Sequence, residues 1–302
     1  MDSILVSVIM PVYNSERFLK ESITSILEQT YSNLQFIIIN DGSTDNSLKI
    51  IKTFLEIDDR IILINKKNSG IVDSLNEGIR ISKGKYIARM DSDDISLPKR
   101  IAQQVSLMEE LNLDLCGGHY FLIDENGFLN GLNLTPRTNE LCLLSFSSKV
   151  AFAHPTVIIR KSFLDRNNLK YGQVEFKNAE DLDLWIRIIN LGGKLGNVDD
   201  VILKYRILKD SLSRSNNGNI SKDSNIIFKN YINKNKKKLI ELLNMNFNNL
   251  NNEEESIIIR SVFRIYFLKL KFNKYHLIRS FSRKNIFYTL TSEFSQLAKK
   301  IK

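Results

Sequence analysis

Between residues 5 and 123 the sequence keeps one rhythm: a short run of branched apolar residues, a stretch with helical spacing, then another apolar run. The runs are "LVSVIMPVY" (5–13), "LQFIIIN" (34–40), "IILIN" (61–65), "KYIARM" (85–90) and "LDLCGGHYFLI" (113–123). Helical spacing falls near 15–28, 45–57, 70–82 and 98–111. Parallel strands need long crossovers, usually helices, so this alternation predicts βαβ units. Phe36 to Ile39 show no polar alternation, as expected of a sheet covered on both faces. Asp45 suits the cap of the second helix and Pro98 the first turn of the fourth. The expectation is an α/β, Rossmann-like fold: a mostly parallel sheet flanked by helices.

In open sheets of this kind, ligands gather beyond the carboxyl ends of the strands. Three polar clusters, "PVYN", "NDGSTD" and "DSDD", fall at such ends. Asp91 and Asp93 are one residue apart and converge only if the strand stops and the chain turns. No Lys or Arg stands among Asp91, Asp93 and Asp94, so the crowded charge calls for a cation. Mg²⁺ or Mn²⁺ held together with diphosphate oxygens would supply one. A calcium loop of the EF-hand type is excluded, because Ser96 and Ala102 stand where Gly and Glu are needed. The plainer alternative is a solvated acidic turn that caps the next helix.

Beyond residue 125 the pattern loosens into a turn at "DENG", a helix near 138–146, "VAFAHPTVIIRK", a helix near 180–191 and the strand-like "DDVILKYRIL". In "AEDLDLWIRI" the residues Leu182, Trp185, Ile186 and Ile189 form an apolar stripe, and the acids of the first turn suit the helix dipole. Composition shifts to Asn and Lys after "SLSRSNNGN", which sets a boundary near 216. The formal charge of +9 divides there: 26 Lys/Arg against 28 Asp/Glu before it, 17 against 6 after it. The basic character therefore belongs to the tail and says nothing about the partner of the first two-thirds. In the tail, "RSVFRIYFLKLKFNKYHLIRSFSRK" (260–284) reads as a basic amphipathic helix that suits an anionic membrane surface, such as the cytoplasmic face of the inner membrane, or packs on its neighbour. No nucleic-acid reader motif accompanies the charge, and no nucleic-acid partner is expected. Two cysteines make no disulfide framework and suit a reducing cytoplasm. The start "MDSILVSVIMPVYN" does not read as a signal peptide, and no segment nears the ~20 apolar residues of a membrane span.

Taken in order, "MPVYNSERFLKESITSILEQTYSNLQFIIINDGSTDNSLKII", "GKYIARMDSDDISLPKRIAQQ", "AEDLDLWIRI" and "YRILKDSLSR" closely resemble glycosyltransferase family 2, nucleotide-sugar transferases of the GT-A fold, over about residues 5–215. The resemblance implies a GT-A domain at 1–215 and a basic helical extension at 216–302. It implies that Pro11, Val12 and Tyr13 form the loop that holds the base, with Tyr13 stacking, and that Asp41 accepts from a uracil N–H; the alternative for Asp41 is a turn-forming role. Asp91 would meet the ribose or the metal, Asp93 would coordinate Mn²⁺ or Mg²⁺ on the diphosphate, and Asp94 is a further candidate. Asp181 would be the general base, Glu180 beside it, in one displacement that inverts the anomeric centre. His154, ahead of Pro155, is open between an acceptor or diphosphate contact and a structural role. Arg206 is open between the diphosphate and an acid.

This sequence departs from the family at Leu208, where many members carry His, and at Leu75, where many place Arg before Asn76. A subset of bacterial members shares the L-N form with "ARMDSDD", so Asn76 and Gly78 are read as packing and turn residues. The implied reaction moves a sugar from a nucleotide donor, a UDP-sugar, to a saccharide or lipid-linked saccharide in bacterial surface polysaccharide or lipopolysaccharide assembly. Two rivals are a sugar-nucleotide pyrophosphorylase and a non-catalytic saccharide-binding module. "PVYNSERF" lacks the Gly-rich, Lys-bearing loop of the first, and the joint presence of Asp91, Asp93 and Asp181 argues against the second.

Overall fold

A computed structural model describes residues 4–173, 179–208, 217–266, 281 and 283–301. In chain order its elements begin β1 (Val6–Val12), α1 (Leu19–Leu27), β2 (Leu34–Asp41), α2 (Ser47–Leu55), β3 (Ile61–Lys66), α3 (Ile71–Ile81), β4 (Tyr86–Arg89), β5 (Ile95–Ser96) and α4 (Arg100–Glu110). There follow β6 (Leu115–Ile123), β7 (Leu129–Asn133), α5 (Asn139–Ser145), a 3-10 turn (His154–Thr156), β8 (Ile158–Arg160), α6 (Lys161–Arg166), α7 (Glu180–Asn190) and β9 (Leu195–Arg206). The last three helices are α8 (Asn217–Leu243), α9 (Asn252–Tyr266) and α10 (Arg283–Ile301). Two compact units divide the chain: Met1–Leu134 with Phe152–Ile220, and Thr135–Ala151 with Ser221–Lys302.

The first unit is a mostly parallel sheet of order β3-β2-β1-β4-β8-β6-β9-β5, with β7 paired to β6. Strands β1 to β4 run parallel, as the βαβ rhythm predicts. Every residue of β1 and β2 is buried, the outcome of covering both faces with helices. One face carries the main core, in which Met10, Phe36, Ile38, Tyr86 and Met90 meet Ile23 of α1, Ile51 of α2 and Ile101 of α4. On the other face α3 lies so close that a Cβ on Gly78 would stand 2.6 Å from Ile9 Cγ2, which explains the glycine there.

Two departures from a purely parallel sheet matter. The short β8 enters antiparallel between β4 and β6, and β5 pairs antiparallel with β9. Strand β9 also begins earlier than "DDVILKYRIL" suggests: Leu195–Val198 already pair with Leu115–Gly118, and register shifts follow where the exposed Asp199 and Asp200 sit.

The second unit is helical. Helix α5, which the sequence division at 216 leaves with the first domain, packs here with the C-terminal helices. Tyr231 of α8 donates to Leu143 O at 2.8 Å, with its ring against Phe146. Asn251 and Glu254 satisfy each other's backbone N–H groups at the start of α9, a reciprocal cap. Glu254 is fully buried and Arg137 neutralises it at 2.8 Å, while Arg264 of α9 pairs with Glu293 of α10 at 2.9 Å. Among the described residues no helix is long and apolar enough to cross a membrane. The basic segment 260–284 lies mostly outside the described residues, as do residues 209–214 of "YRILKDSLSR".

Candidate active site

The parallel register brings β1, β2 and β3 to a level finish, with Val12 beside Asn40 and Asp41 beside Lys66. The loops beyond β1 and β2 are stitched together: Asn14 N donates to Ser43 Oγ, Thr44 N to Asn14 Oδ1, Glu16 N to Asp45 Oδ2 and Asn46 N to Glu16 Oε2. Glu16 falls within the helical spacing read near 15–28 but is used in these loop bonds, and α1 begins later, at Leu19. Pro11 and Val12 are buried at the end of β1, paired with Ile39 and Asn40 of β2. Tyr13 follows them with its side chain 52% exposed, a ring free for stacking.

Asp41 is buried and accepts from Lys66 Nζ at 2.5 Å, Ser69 N at 2.9 Å and Gly70 N at 2.9 Å. Burial would raise its pKa, but these donors outweigh it and hold the carboxyl below its ordinary value. Its backbone donors come from the loop before α3 and not from its own NDGS turn, and Oδ2 accepts from Gly70 N.

Asp91, Asp93 and Asp94 gather just after β4, with a carboxylate oxygen of each within 4.8 Å of the others. The chain supplies part of the missing charge itself. Arg89, the last residue of β4 and two before Asp91, forms an ion pair with it. Arg89 is buried, and its Nε finds no hydrogen-bond acceptor among the described residues. The compensation is incomplete: burial first and then the Asp91 charge push Asp93 upward, and burial with both neighbours pushes Asp94 well above the ordinary range. Asp94 Oδ2 is buried with no hydrogen-bond partner among the described residues. Hard oxygens at this spacing, two of them on carboxyls whose pKa values burial and their neighbours' charges raise, fit a divalent cation.

Arg206 braces the loop that carries the acids. Its buried guanidinium donates to Asp93 O at 2.8 Å and Glu21 Oε2 at 2.6 Å and lies over the Phe18 ring, while its N–H donates to Asp94 Oδ1 at 2.7 Å. Of the two sequence readings, pairing with an acid is the one the geometry supports.

The second group of acids opens α7. Glu180 and Asp181 are half-buried and make no ion pair among the described residues, whereas Asp183 is tied to Arg187 at 2.7 Å. Burial raises Asp181, opposed by the Leu182 N–H and the Arg89 charge, with Asp91 adding to the rise. Asp181 therefore shares an electrostatic environment with the acids after β4. Beside it lies an aromatic cluster. His154 Nε2 is 3.0 Å from Tyr171 Oη, and both rings pack against Trp185, which also meets Phe152. Burial and the Arg89 charge hold His154 well below its ordinary pKa, so the imidazole is neutral near pH 7. Asn76 grips the Tyr171 backbone from both sides, at 2.9 and 3.1 Å.

Sequence reasoning missed four contributors. Arg89 was readable from its place two residues before the acids. Tyr171 had no local signal, because its partners Asn76 and His154 are distant in sequence. Arg100 and Gln104 are fully buried on α4: Arg100 donates to Arg89 O at 2.7 Å and Gln104 to Thr156 O at 2.8 Å. Together they fasten the end of β4 to the His154 turn, and their spacing of four on one helix was the available hint.

A mostly parallel sheet flanked by helices, with acids gathered after its fourth strand and others in the first turn of α7, is the architecture of the GT-A glycosyltransferases. The profile of Glycosyl transferase family 2 matches residues 7–167. Curated relatives include the "Uncharacterized glycosyltransferase MJ1057" of Methanocaldococcus jannaschii, 38% identical over 212 residues, 68% of this chain and 72% of the relative. The O-antigen biosynthesis glycosyltransferase WbnJ of Escherichia coli is 35% identical over 70% of this chain and 83% of its own. WfgD of Escherichia coli, named a UDP-Glc:alpha-D-GlcNAc-diphosphoundecaprenol beta-1,3-glucosyltransferase, is 31% identical over 70% and 81%. Two solved structures share the fold: S. aureus TarS 1-349 with UDP-GlcNAc (TM-score 0.60, 18% identity, 91% of this chain and 78% of that one) and the mannosyltransferase PcManGT of Pyrobaculum calidifontis with GDP-Man and Mn²⁺ (0.61, 15%, 97% and 80%). The chain belongs to glycosyl transferase family 2. Its activity is glycosyl transfer.

Proposed function

We propose that the protein is a metal-dependent, inverting glycosyltransferase that moves a hexosyl group from a UDP-sugar to a saccharide hydroxyl, the acceptor being lipid-linked at a membrane surface. The observation that carries this reading is the pairing of two acid groups: the Asp91, Asp93, Asp94 cluster, and Asp181 with a raised pKa in the same field. Asp91 and Asp93 would hold Mn²⁺ or Mg²⁺, with Asp94 bracing them through its bond to Arg206 N. The ion would neutralise charge on the departing nucleoside diphosphate. Asp181 takes the proton of the acceptor hydroxyl as that oxygen attacks the anomeric carbon; the new C–O bond forms as the bond to the diphosphate oxygen breaks. Tyr13 stacks on the base, and Asp41 accepts from it through Oδ2. His154 stays neutral and, with Tyr171, shapes the acceptor side. Relatives named or solved with UDP-sugars support the uridine choice, and the GDP-Man complex supplies the competing one.

The test is a panel of nucleotide sugars with the purified chain. UDP-sugars are expected to be hydrolysed or transferred with Mn²⁺ or Mg²⁺ and not with a chelator. Turnover that ignores chelation, or that needs a guanosine donor, refutes the corresponding part. Tyr13→Ala is expected to raise the donor KM by about tenfold with kcat nearly unchanged, since stacking on one base contributes roughly 1–3 kcal/mol.

A further inference from the structure

We infer that the second unit docks on an anionic lipid bilayer through the exposed lysines of α8 and the exposed rings of α10. On α10, Phe287 and Tyr288 are 72% and 73% exposed, and Lys284 and Thr291 are exposed beside them at helical spacing. The opposite face is settled: Ile286, Thr289 and Glu293 are buried, with Thr289 and Glu293 bonded to Ser256 and Arg264 of α9. Two neighbouring rings in water are therefore not left over from the packing of this helix. On α8 the exposed residues Lys222, Ile226, Lys229, Asn233, Lys237 and Glu241 share one face, the exposed Lys234 and Lys238 lie at its edge, and the opposite face buries Phe228, Tyr231, Leu239 and Leu242. Exposed lysines are attracted to acidic headgroups, and exposed Phe and Tyr side chains partition into the headgroup boundary.

Charge decides among the occupants. Residues 216–302 hold 17 Lys/Arg against 6 Asp/Glu, so a second copy would bring the same excess of positive charge against this face. An anionic bilayer is complementary to the lysines and also accepts the rings. The inference extends the proposed lipid-linked acceptor to a surface but rests on exposure and charge alone, so vesicle binding and the catalytic reading fail separately.

The experiment is co-sedimentation of the full chain with phosphatidylcholine vesicles, with and without about 30% phosphatidylglycerol, at low and high salt. Binding is expected only to the acidic vesicles and to weaken as salt rises. Lys234→Glu with Lys237→Glu and Lys238→Glu is expected to weaken it by at least about fivefold per lysine changed. Phe287→Ser with Tyr288→Ser is expected to abolish the part that resists salt. Sugar transfer to a soluble acceptor is expected to be unchanged in both variants, which shows that they fold. Absence of binding to acidic vesicles, equal binding to neutral ones, or wild-type binding by the lysine variant overturns the inference. So does loss of self-association in the ring variant with vesicle binding intact, which would assign the face to a second copy, or binding to a single-stranded oligonucleotide in place of vesicles.

Discussion

Replacing Asp181 by asparagine is expected to lower kcat for sugar transfer by about 10²–10⁴-fold while donor affinity stays within about a factor of two. The substitution keeps shape and removes only the capacity to take a proton. Of its neighbours in the first turn, Asp183 is committed to Arg187 and is not free to take its place. The wild-type pH profile carries the same signature. The base must be ionised to act, and burial lifts Asp181 above the ordinary aspartate value of 3.8. The acid limb of kcat is thus expected at higher pH than for an exposed aspartate, with activity lost as pH falls through it, and it is expected to vanish from the residual rate of Asp181→Asn. Stopped-time transfer assays from about pH 4 to 8 measure both. Near-normal transfer by the variant would remove Asp181 from the mechanism.

The second large effect is expected at Asp93. Asp93→Asn should reduce metal-dependent transfer by about three orders of magnitude, because a divalent ion at the leaving group is worth several kcal/mol. The same change is expected to raise thermal stability slightly when no metal is added. In the folded chain burial and the Asp91 charge raise the Asp93 pKa, so ionising it opposes folding. A group raised in this way destabilises above its unfolded pKa, and that cost is absent below it. The gain in melting temperature should therefore be seen near pH 7 and disappear near pH 3. Calorimetry of both proteins in a chelator checks the sign. A variant that is fully active with metal would show that the carboxylates are a solvated turn.

How far the sequence spoke for the structure follows from the range of the forces involved. The first four parallel strands and their helices were legible because their signals are local: branched apolar runs and helical spacing. Strand β8 was not, since Ile158–Arg160 is too short to show a period and takes its place only by pairing with β4 and β6. The start of β9 was hidden by Asp199 and Asp200, which look like a strand boundary and are an exposed irregularity within it. Helix α5 was legible as a helix, but its membership of the second unit depends on partners such as Tyr231 and Ser261 far along the chain. In the site, the acids could be read because carboxylates crowded at a strand end demand an explanation. The cations that restrain them could not be read so directly. Arg89 was two residues away, while the commitment of Arg206 to Glu21 and Asp93 needed the fold.

The central claim divides labour between two carboxylate groups, and Mn²⁺ binding followed by electron paramagnetic resonance, with UDP present, tests it most directly. Wild type and Asp181→Asn should sequester the ion equally, and Asp93→Asn should leave it free in solution. Retention of the ion by Asp93→Asn, or its loss in Asp181→Asn, would contradict the assignment.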